Sequence, residues 1–267
     1  MTSRQAVRVC GVGLAVLLSG CGSSGGASHP AIKGSLKKAV EQLNRAASTQ
    51  SCRDYATVLA TTRRPRGVKP GSPPTAAECK DYADVLARSL RGVRFGQAQA
   101  FGPAALAEGV GPSQGRYSST LAIFVRDWDG RYRLNFSIVG DPQLKTKPRR
   151  GTNFGAQVDG FVRAVRSKDC KQLLAYVVPG SLTSGAAAST STCRAVFGGK
   201  NLAPQLAADA KAKAVKFGET RDFGFYGLDT KRNYYTLILA TRPSDQPRSA
   251  GSPAAGVFDY EPNKQPE

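Results

Sequence analysis

Residues that commonly act as nucleophiles and bases are sparse in this chain of 267 residues. The single histidine, His29, lies beside Pro30 in a Ser/Gly-rich stretch. Relays of the Ser-His-Asp and Cys-His kinds need an oriented imidazole, so the sequence argues against both. Gly111-Pro112-Ser113-Gln114-Gly115 has the spelling of a nucleophile elbow, but an elbow joins a strand to a helix. Pro112 and its small neighbours instead predict a loop, which precedes a strand from Tyr117.

Carboxylate chemistry is left open by the sequence. The chain has nine tyrosines and 19 acidic residues, yet no pair of acids has a spacing that forces convergence. Asp127 and Asp129 flank a predicted turn, where such residues usually serve the backbone. We therefore predict no catalytic residue, no cofactor and no metal site. An enzyme that uses an Asp/Tyr-lined pocket is the alternative.

The cysteines favour disulfides over a metal site. Two of the six cysteines, Cys10 and Cys21, fall in the first 21 residues. The other four have no Cys-x-x-Cys spacing and no nearby histidine: Cys52, Cys79, Cys170 and Cys193. Outside the cytosol an even set of this kind indicates disulfides. Four cysteines allow three pairings.

Residues 1–20 have the layout of an export signal. Arg4 and Arg8 form a positive region, residues 9–18 form a short apolar core, and two small residues precede Cys21. The apolar run is shorter than the roughly 20 residues that span a bilayer. An ordinary secretory signal with an unrelated cysteine and a membrane-spanning anchor are the alternatives.

The end of this signal, Leu18-Ser19-Gly20-Cys21, resembles a bacterial lipobox. In that family the cysteine receives lipid before the signal is cleaved. The resemblance implies a lipoprotein that is held by lipidated Cys21 in the outer leaflet of the cell membrane, on the extracytoplasmic side.

Two segments of the chain are alike at a fixed offset. Residues 39–46 and 157–164 share Val, an acid, a bulky apolar residue, Arg and Ala at a shift of 118, and this shift also carries Cys52 onto Cys170. Three dipeptides recur later in the same order: Phe95-Gly96 with Phe217-Gly218, Phe101-Gly102 with Phe223-Gly224, and Thr120-Leu121 with Thr236-Leu237. We interpret this as a tandem repeat with loop insertions.

Pairing within each copy follows from the repeat. Equivalent cysteines then form the disulfides Cys52–Cys79 and Cys170–Cys193, which close loops of similar length. Crosslinks between the copies are the alternative. The repeat also divides the chain into a signal peptide (1–20), a tether (21–30), a first domain (31–140), a basic linker (141–152) and a second domain (153–267).

Each copy is predicted to begin with helices. Leu36, Val40, Leu43 and Ala47 form the stripe of an amphipathic helix. Ser51 and Asp169 are predicted to begin the next helix of each copy at a cysteine. Thr75 and Glu78 have the spacing of a capping box and predict a further helix.

A hairpin follows the helices. Asp129-Gly130 predicts a two-residue turn. Counting outward pairs apolar residues on one face (Val125 with Leu134, Ile123 with Phe136, Leu121 with Ile138) and leaves Arg131, Arg133, Asn135 and Ser137 on the other. This alternation predicts a sheet with one covered face. In the second copy, Leu237 and Leu239 are predicted to point inward, and residues 257–260 to form the return strand.

The predicted class is α+β, with two tandem domains of N-terminal helices packed on a curved antiparallel sheet. The element order resembles the cone-shaped nuclear-transport-factor-two-like (ketosteroid-isomerase-like) fold over residues 31–139 and 153–261. The resemblance implies two cone-like domains, each offering an apolar pocket or an exposed sheet. A cystatin-like fold or another α+β sandwich is the alternative.

The chain has a formal net charge of +19, of which the signal carries only Arg4 and Arg8. Two clusters are candidates for binding an anionic surface: Arg63, Arg64, Arg66 and Lys69, and Lys145, Lys147, Arg149 and Arg150. Besides the membrane, we predict an anionic envelope polymer or another envelope protein as partner. Nucleic acid is disfavoured because no aromatic residues interleave the basic ones. Solvated basic loops are the alternative.

Overall fold

The computed structural model describes residues 34–113, 116–140, 150–178, 190–197, 202–209, 212–241 and 255–262. In the first half, helices α1 (Leu36–Thr49), α2 (Cys52–Val58) and α3 (Ala76–Val85) precede strands β1 (Arg94–Phe101), β2 (Ala104–Ser113), β3 (Arg116–Arg126) and β4 (Tyr132–Gly140). A 3-10 turn (Thr61–Arg63) follows α2, and a π-helical turn (Leu86–Leu90) extends α3. Cys21, His29 and residues 141–149 of the predicted linker lie outside the described residues.

The second half has the same order of elements. Helices α4 (Phe154–Ser167), α5 (Cys170–Tyr176), α6 (Thr190–Phe197) and α7 (Ala203–Ala208) precede strands β5 (Ala214–Glu219), β6 (Phe223–Asp229), β7 (Tyr234–Thr241) and β8 (Ala255–Pro262). Each half forms an antiparallel four-stranded sheet, in the orders β1-β2-β3-β4 and β5-β6-β7-β8. The predicted α+β class is therefore confirmed. No helix in the described part of the chain is long and apolar enough to cross a membrane.

The helices begin where the sequence predicts. Ser51 and Asp169 accept hydrogen bonds from backbone N–H groups three residues later, and α2 and α5 then have seven residues each. Thr75 and Glu78 form the predicted capping box of α3. The first helices, α1 and α4, both have 14 residues and both end at a residue with left-handed backbone, Gln50 and Lys168. Ser51 and Asp169, and likewise Gln50 and Lys168, are separated by the offset of 118 residues found in the sequence.

Both predicted disulfides are present. Cys52 is bonded to Cys79, with their Cα atoms 5.3 Å apart, and Cys170 to Cys193, with their Cα atoms 5.6 Å apart. These separations are ordinary for disulfides. Each bond joins the second helix of a half to the third.

Each sheet has both faces covered, which corrects the prediction of a single covered face. On the outer faces, α1 packs on the first sheet and α4 on the second, around separate apolar clusters. Between the sheets lies a third cluster, to which both halves contribute. Its fully buried members include Leu106, Ile123, Phe225 and Ile238. The sheets therefore pack face to face, with the helices on the outside.

A β-bulge corrects the predicted hairpin register. Ile123 pairs with Phe136 as predicted, but Phe124 pairs with Leu134 and Val125 with Arg133. The extra residue is in β4, so the side chains beyond it change face. Leu134 consequently belongs to the cluster under α1, and Ile123 and Phe136 to the cluster between the sheets.

The second sheet has an equivalent bulge. Ile238 pairs with Asp259 and Leu239 with Val257, so the predicted return strand is present within β8. Leu237 and Leu239 face the helices, whereas Ile238 lies between the sheets. The alignment of Leu237 with Leu121 was therefore off by one residue, which reverses the face in a strand.

Two glycines allow the sheets to approach closely. A Cβ atom on Gly102 would lie 2.8 Å from the ring of Phe217, and one on Gly218 would clash with the ring of Phe101. The two contacts are reciprocal, since each joins a phenylalanine of one sheet to a glycine of the other. Phe101 also stacks on Phe225, with 5.0 Å between ring centroids.

The predicted loop around Pro112 is a strand. β2 continues to Ser113, whose partner on β3 is Arg116. Gly111 allows this, because a Cβ atom there would lie 2.6 Å from the Cα atom of Val93. No helix follows Ser113 before β3, so the nucleophile-elbow geometry is not formed.

Candidate functional site

A polar groove lies between the first two turns of α1 and the turn that joins β3 to β4. Its volume is about 350 Å³. We call it the α1–turn groove, and its lining residues are Gly34, Ser35, Lys38, Ala39 and Gln42 from α1 and its start, and Asp129, Arg131, Tyr132 and Arg133 from the turn and β4. It is a concave site that brings several charged groups of α1 and the turn together.

The turn has three residues, Trp128, Asp129 and Gly130, rather than the predicted two, because the N–H of Asp127 donates to the carbonyl oxygen of Arg131 at 2.9 Å. Asp129 has the backbone role that the sequence predicts. Gly130 has φ +80° and donates its N–H to the carbonyl oxygen of Asp127 at 2.8 Å. Asp129 Oδ1 accepts the backbone N–H of Arg131 at 3.0 Å. Asp129 Oδ2 also accepts from Arg133 Nη2 at 2.7 Å. The carboxylate of Asp129 therefore serves both the turn and the groove.

A buried arginine forms the base of the groove. Arg133 donates to the carbonyl oxygen of Thr57 at 2.6 Å, and its Nε lies 3.1 Å from Asp127 Oδ2. Asp127 in turn accepts from the backbone N–H and the hydroxyl of Thr61, at 3.0 and 2.6 Å. Burial raises the pKa of Asp127, and the hydrogen bonds from Thr61 and the charge of Arg133 oppose this. The base is therefore fixed in position and has its charges paired.

The walls of the groove carry exposed cations. Lys38 is exposed on α1, and the side chain of Arg131 is 66% exposed on the turn. Asp129 is the one acid among the lining residues, and it is already bonded to Arg133. Gln42 adds a neutral amide to the wall formed by α1. The groove can therefore accept an anion between its two walls.

Two of the predicted surface cations point into the protein instead. Arg64 is buried beside Glu78, with 2.9 Å between Nε and Oε1. Arg63 forms ion pairs with Asp259 and Glu261 of the other sheet. The guanidinium of Arg64 is enclosed, with its side chain 1% exposed, whereas the side chain of Arg63 stays 37% exposed beside its partners. Arg66, Lys69 and Arg150 are exposed, whereas Lys145, Lys147 and Arg149 lie outside the described residues.

The partners of Arg63 form a buried polar cluster between the sheets. Asp259 and Glu261 are two residues apart on β8, and both are buried. Asn135, the extra residue of the β4 bulge, accepts from Arg63 and donates to Asp259 at 3.1 Å. Burial raises the pKa of Glu261, and the charge of Arg63 opposes this. The cluster joins the two halves of the chain.

Large apolar side chains pack between the helices and each sheet in the described part of the chain. Phe154, Phe161 and Tyr235 are fully buried under the second sheet, and Leu43 and Phe124 under the first. Tyr–acid contacts occur at the edges of these regions, Tyr82 with Glu78 under the first sheet and Tyr226 with Glu219 under the second. The hydroxyl of Tyr226 donates to Glu219 Oε1 at 2.5 Å, and Lys216 Nζ lies 2.7 Å from Glu219 Oε2. Lys216 pairs with the carboxylate at the outer end of this contact, and Tyr226 is buried.

Metal ligands are not gathered in the described ranges. No group of three or more His, Cys, Asp or Glu side chains there has the arrangement to hold a metal ion. No family model matches the chain, and no curated protein matches it significantly.

The groove was missed by the sequence analysis. Its two exposed cations, Lys38 and Arg131, stand more than 90 residues apart and belong to no basic cluster in the sequence. The Asp129-Gly130 turn was the only signal present, and it gives no indication that α1 lies beside it.

Proposed function

We propose that this chain is an exported lipoprotein that is anchored by lipidated Cys21 in the outer leaflet of a bacterial membrane. The observation that carries the proposal is the Leu18-Ser19-Gly20-Cys21 sequence behind a positive region and a short apolar core. The disulfides Cys52–Cys79 and Cys170–Cys193 support export, because such bonds form and persist mainly outside the cytosol.

We infer that the extracytoplasmic part is a binding module of the envelope. The α1–turn groove, with Lys38 and Arg131 on its walls, supports this, since it has charged groups at a concave surface. We further infer that each half is a cone-like domain, on the basis of its order of helices and strands.

The anchor is tested by replacing Cys21 with alanine. The wild-type protein, expressed in a bacterium that processes lipoproteins, should incorporate an alkyne fatty acid and sediment with membranes. Cys21→Ala should lose the label completely and be released from the membrane fraction. Cys10→Ala is the matched control, because it removes the other cysteine of the signal and should keep both properties. Continued labelling of Cys21→Ala would show that the lipobox assignment is wrong.

A further inference from the structure

We propose that the α1–turn groove binds the phosphoglycerol headgroup of an anionic phospholipid in the leaflet that holds the anchor. The proposal rests on the proposed lipid anchor. It adds a ligand and a site on the folded part of the chain, and hence a preferred orientation of the protein on the membrane.

The charges of the groove match a phosphate group. Lys38 stands on the α1 wall and Arg131 on the opposite wall, where its Nε also lies 3.9 Å from Asp129 Oδ2; we place the phosphate between these two cations. Charge-assisted bonds of this kind are the strong ones. Each basic residue close to an acidic membrane adds on the order of 1 kcal/mol. The two cations together correspond to about a thirtyfold change in affinity.

The other groups of the groove match the hydroxyls of a glycerol. Asp129 is 31% exposed and can accept from a hydroxyl while it stays bonded to Arg133. The amide of Gln42 can donate or accept. A headgroup with both a phosphate and a diol therefore uses all four groups, whereas a choline headgroup would bring a cation toward Lys38 and Arg131.

The base of the groove is fixed before any ligand arrives. Arg133 is held by Thr57, Asp127 and Asp129, and its side chain is only 7% exposed. A side chain that is already ordered adds little entropic cost on binding. Arg131 and Lys38 are the groups that must become ordered.

The covalent chain keeps the groove near the membrane. Gly34 lines the groove and is 13 residues from Cys21. A chain of 13 residues spans at most about 45 Å. A tethered site encounters its ligand at high effective concentration, so that a weak contact with one headgroup is sufficient to orient the protein.

The chain contains a built-in reporter for this contact. Trp128 is the only tryptophan of the chain and directly precedes Asp129. The residue is partly exposed in the same turn, and its indole Nε1 is buried beside the groove-lining residue Asp129. Tryptophan emission can therefore be followed without a label.

The test uses the full lipidated protein in nanodiscs of phosphatidylcholine, titrated with glycerol 1-phosphate while Trp128 emission is recorded. Lys38→Ala/Arg131→Ala should weaken binding about thirtyfold. Arg66→Ala/Lys69→Ala removes the same charge from an exposed loop and should change the affinity for glycerol 1-phosphate less than threefold. In nanodiscs with phosphatidylglycerol, the emission of the wild type should resemble the titrated endpoint, and added glycerol 1-phosphate should change it little.

Three results would overturn the proposal. One is an equal loss in both double variants, which indicates general attraction of a basic chain. The second is the absence of a difference between the two lipids, and the third is binding of glycerol 1-phosphate with no competition from phosphatidylglycerol, which indicates a soluble polyol phosphate as ligand. The same glycerol 1-phosphate titration on soluble Cys21→Ala protein needs no anchor, so it separates failure of this site from failure of the lipidation of Cys21.

Discussion

Two consecutive arginines serve different parts of the molecule. Arg64 turns into its own loop, where its guanidinium is buried against Glu78. Arg63 extends to the other sheet and pairs with Asp259 and Glu261. A count of basic residues along the chain treats these two side chains as equal and solvated. Each is instead part of the fold, so the charge available to a partner is smaller than the count suggests.

Glu78 gives a prediction for acid stability. The hydrogen bond from Arg64 is the largest cause that lowers the pKa of Glu78 to about 2, and bonds from Thr75 and Tyr82 add to it. A pKa that is depressed in the folded state stabilises the protein above pH 4.5, and this contribution is lost as the pH falls toward 2. Urea unfolding of Glu78→Gln should show a loss on the order of 3 kcal/mol at pH 7, because Arg64 stays buried without a counter-charge.

The loss of stability between pH 4.5 and pH 2 should be absent in Glu78→Gln. As the pH falls from 4.5 to 2, the free energy of unfolding of the wild type should therefore fall toward that of Glu78→Gln. Glu41→Gln, which changes an exposed helix acid, should follow the wild type at every pH. Identical pH dependence of Glu78→Gln and the wild type would contradict the assignment.

For Glu261 the predicted change of stability with pH has the opposite sign. Its pKa is raised by burial against the opposing charge of Arg63, and Asp127, Asn135 and Thr62 also face it. A raised pKa means that the folded state binds the proton more tightly, so stability rises as the pH falls through the folded pKa. At pH 8 Glu261→Gln should match or exceed the wild type by about 1 kcal/mol, because it removes a buried charge.

Asp259→Asn is the matched comparison in the same strand. It removes the carboxylate that pairs with Arg63 and accepts from Asn135, so it should be less stable than the wild type. Chemical denaturation of both variants at pH 6 and pH 8 gives the comparison. A Glu261→Gln variant that is less stable than Asp259→Asn at pH 8 would refute the assignment of roles.

At the scale of elements, the two disulfides hold equivalent helices but different loops. Peptide mapping under non-reducing conditions should recover Cys52 with Cys79 and Cys170 with Cys193. Loss of either bond should cost about 3 kcal/mol through the unfolded state. Cys52→Ala/Cys79→Ala should cost more than Cys170→Ala/Cys193→Ala, since the first loop also positions Arg63 against the other sheet. Equal losses in urea unfolding would show that this loop does not depend on its crosslink.

The sequence predicts elements well where near neighbours decide the structure. The apolar stripe of α1, the capping box of Thr75 and the turn at Asp129 all depend on residues within a few positions. The bulges in β4 and β8 have no such local signal. Because one extra residue reverses the faces of a strand, Leu134 lies on the face opposite to the predicted one. The packing of the other sheet decides which side chains face the helices and which face the space between the sheets.

The candidate site is less predictable for the same reason. Arg63 and Lys69 stood out because basic residues cluster near them in the sequence. Lys38 and Arg131 are 93 residues apart in the sequence and line one groove only because α1 packs beside the β3–β4 turn. A site that is assembled from distant elements leaves no pattern of spacing to recognise.

At the scale of the whole molecule, the two halves share one of three apolar clusters. Ile123 of the first sheet and Phe225 and Ile238 of the second are fully buried in it. The chain is therefore expected to unfold in a single calorimetric transition. The predicted linker joins two halves that depend on each other.

Phe225→Ala tests this coupling. It should destabilise the protein by about 3–5 kcal/mol, because it leaves a cavity in the shared cluster. Hydrogen exchange should then accelerate in β3 of the first half as well as in β6. Val215→Ala, at an exposed position of the second sheet, should leave the stability and the exchange rates of β3 and β6 unchanged. Two separate transitions, or unchanged exchange in β3, would contradict the shared core.

The reciprocal contacts of Phe101 with Gly218 and of Phe217 with Gly102 have a consequence for assembly. They join two similar sheets in the manner of two subunits, yet both sheets belong to one chain. Association within one chain proceeds at an effective concentration on the order of millimolar. Two separate subunits would dissociate on dilution. The fused pair stays assembled at any dilution of the chain.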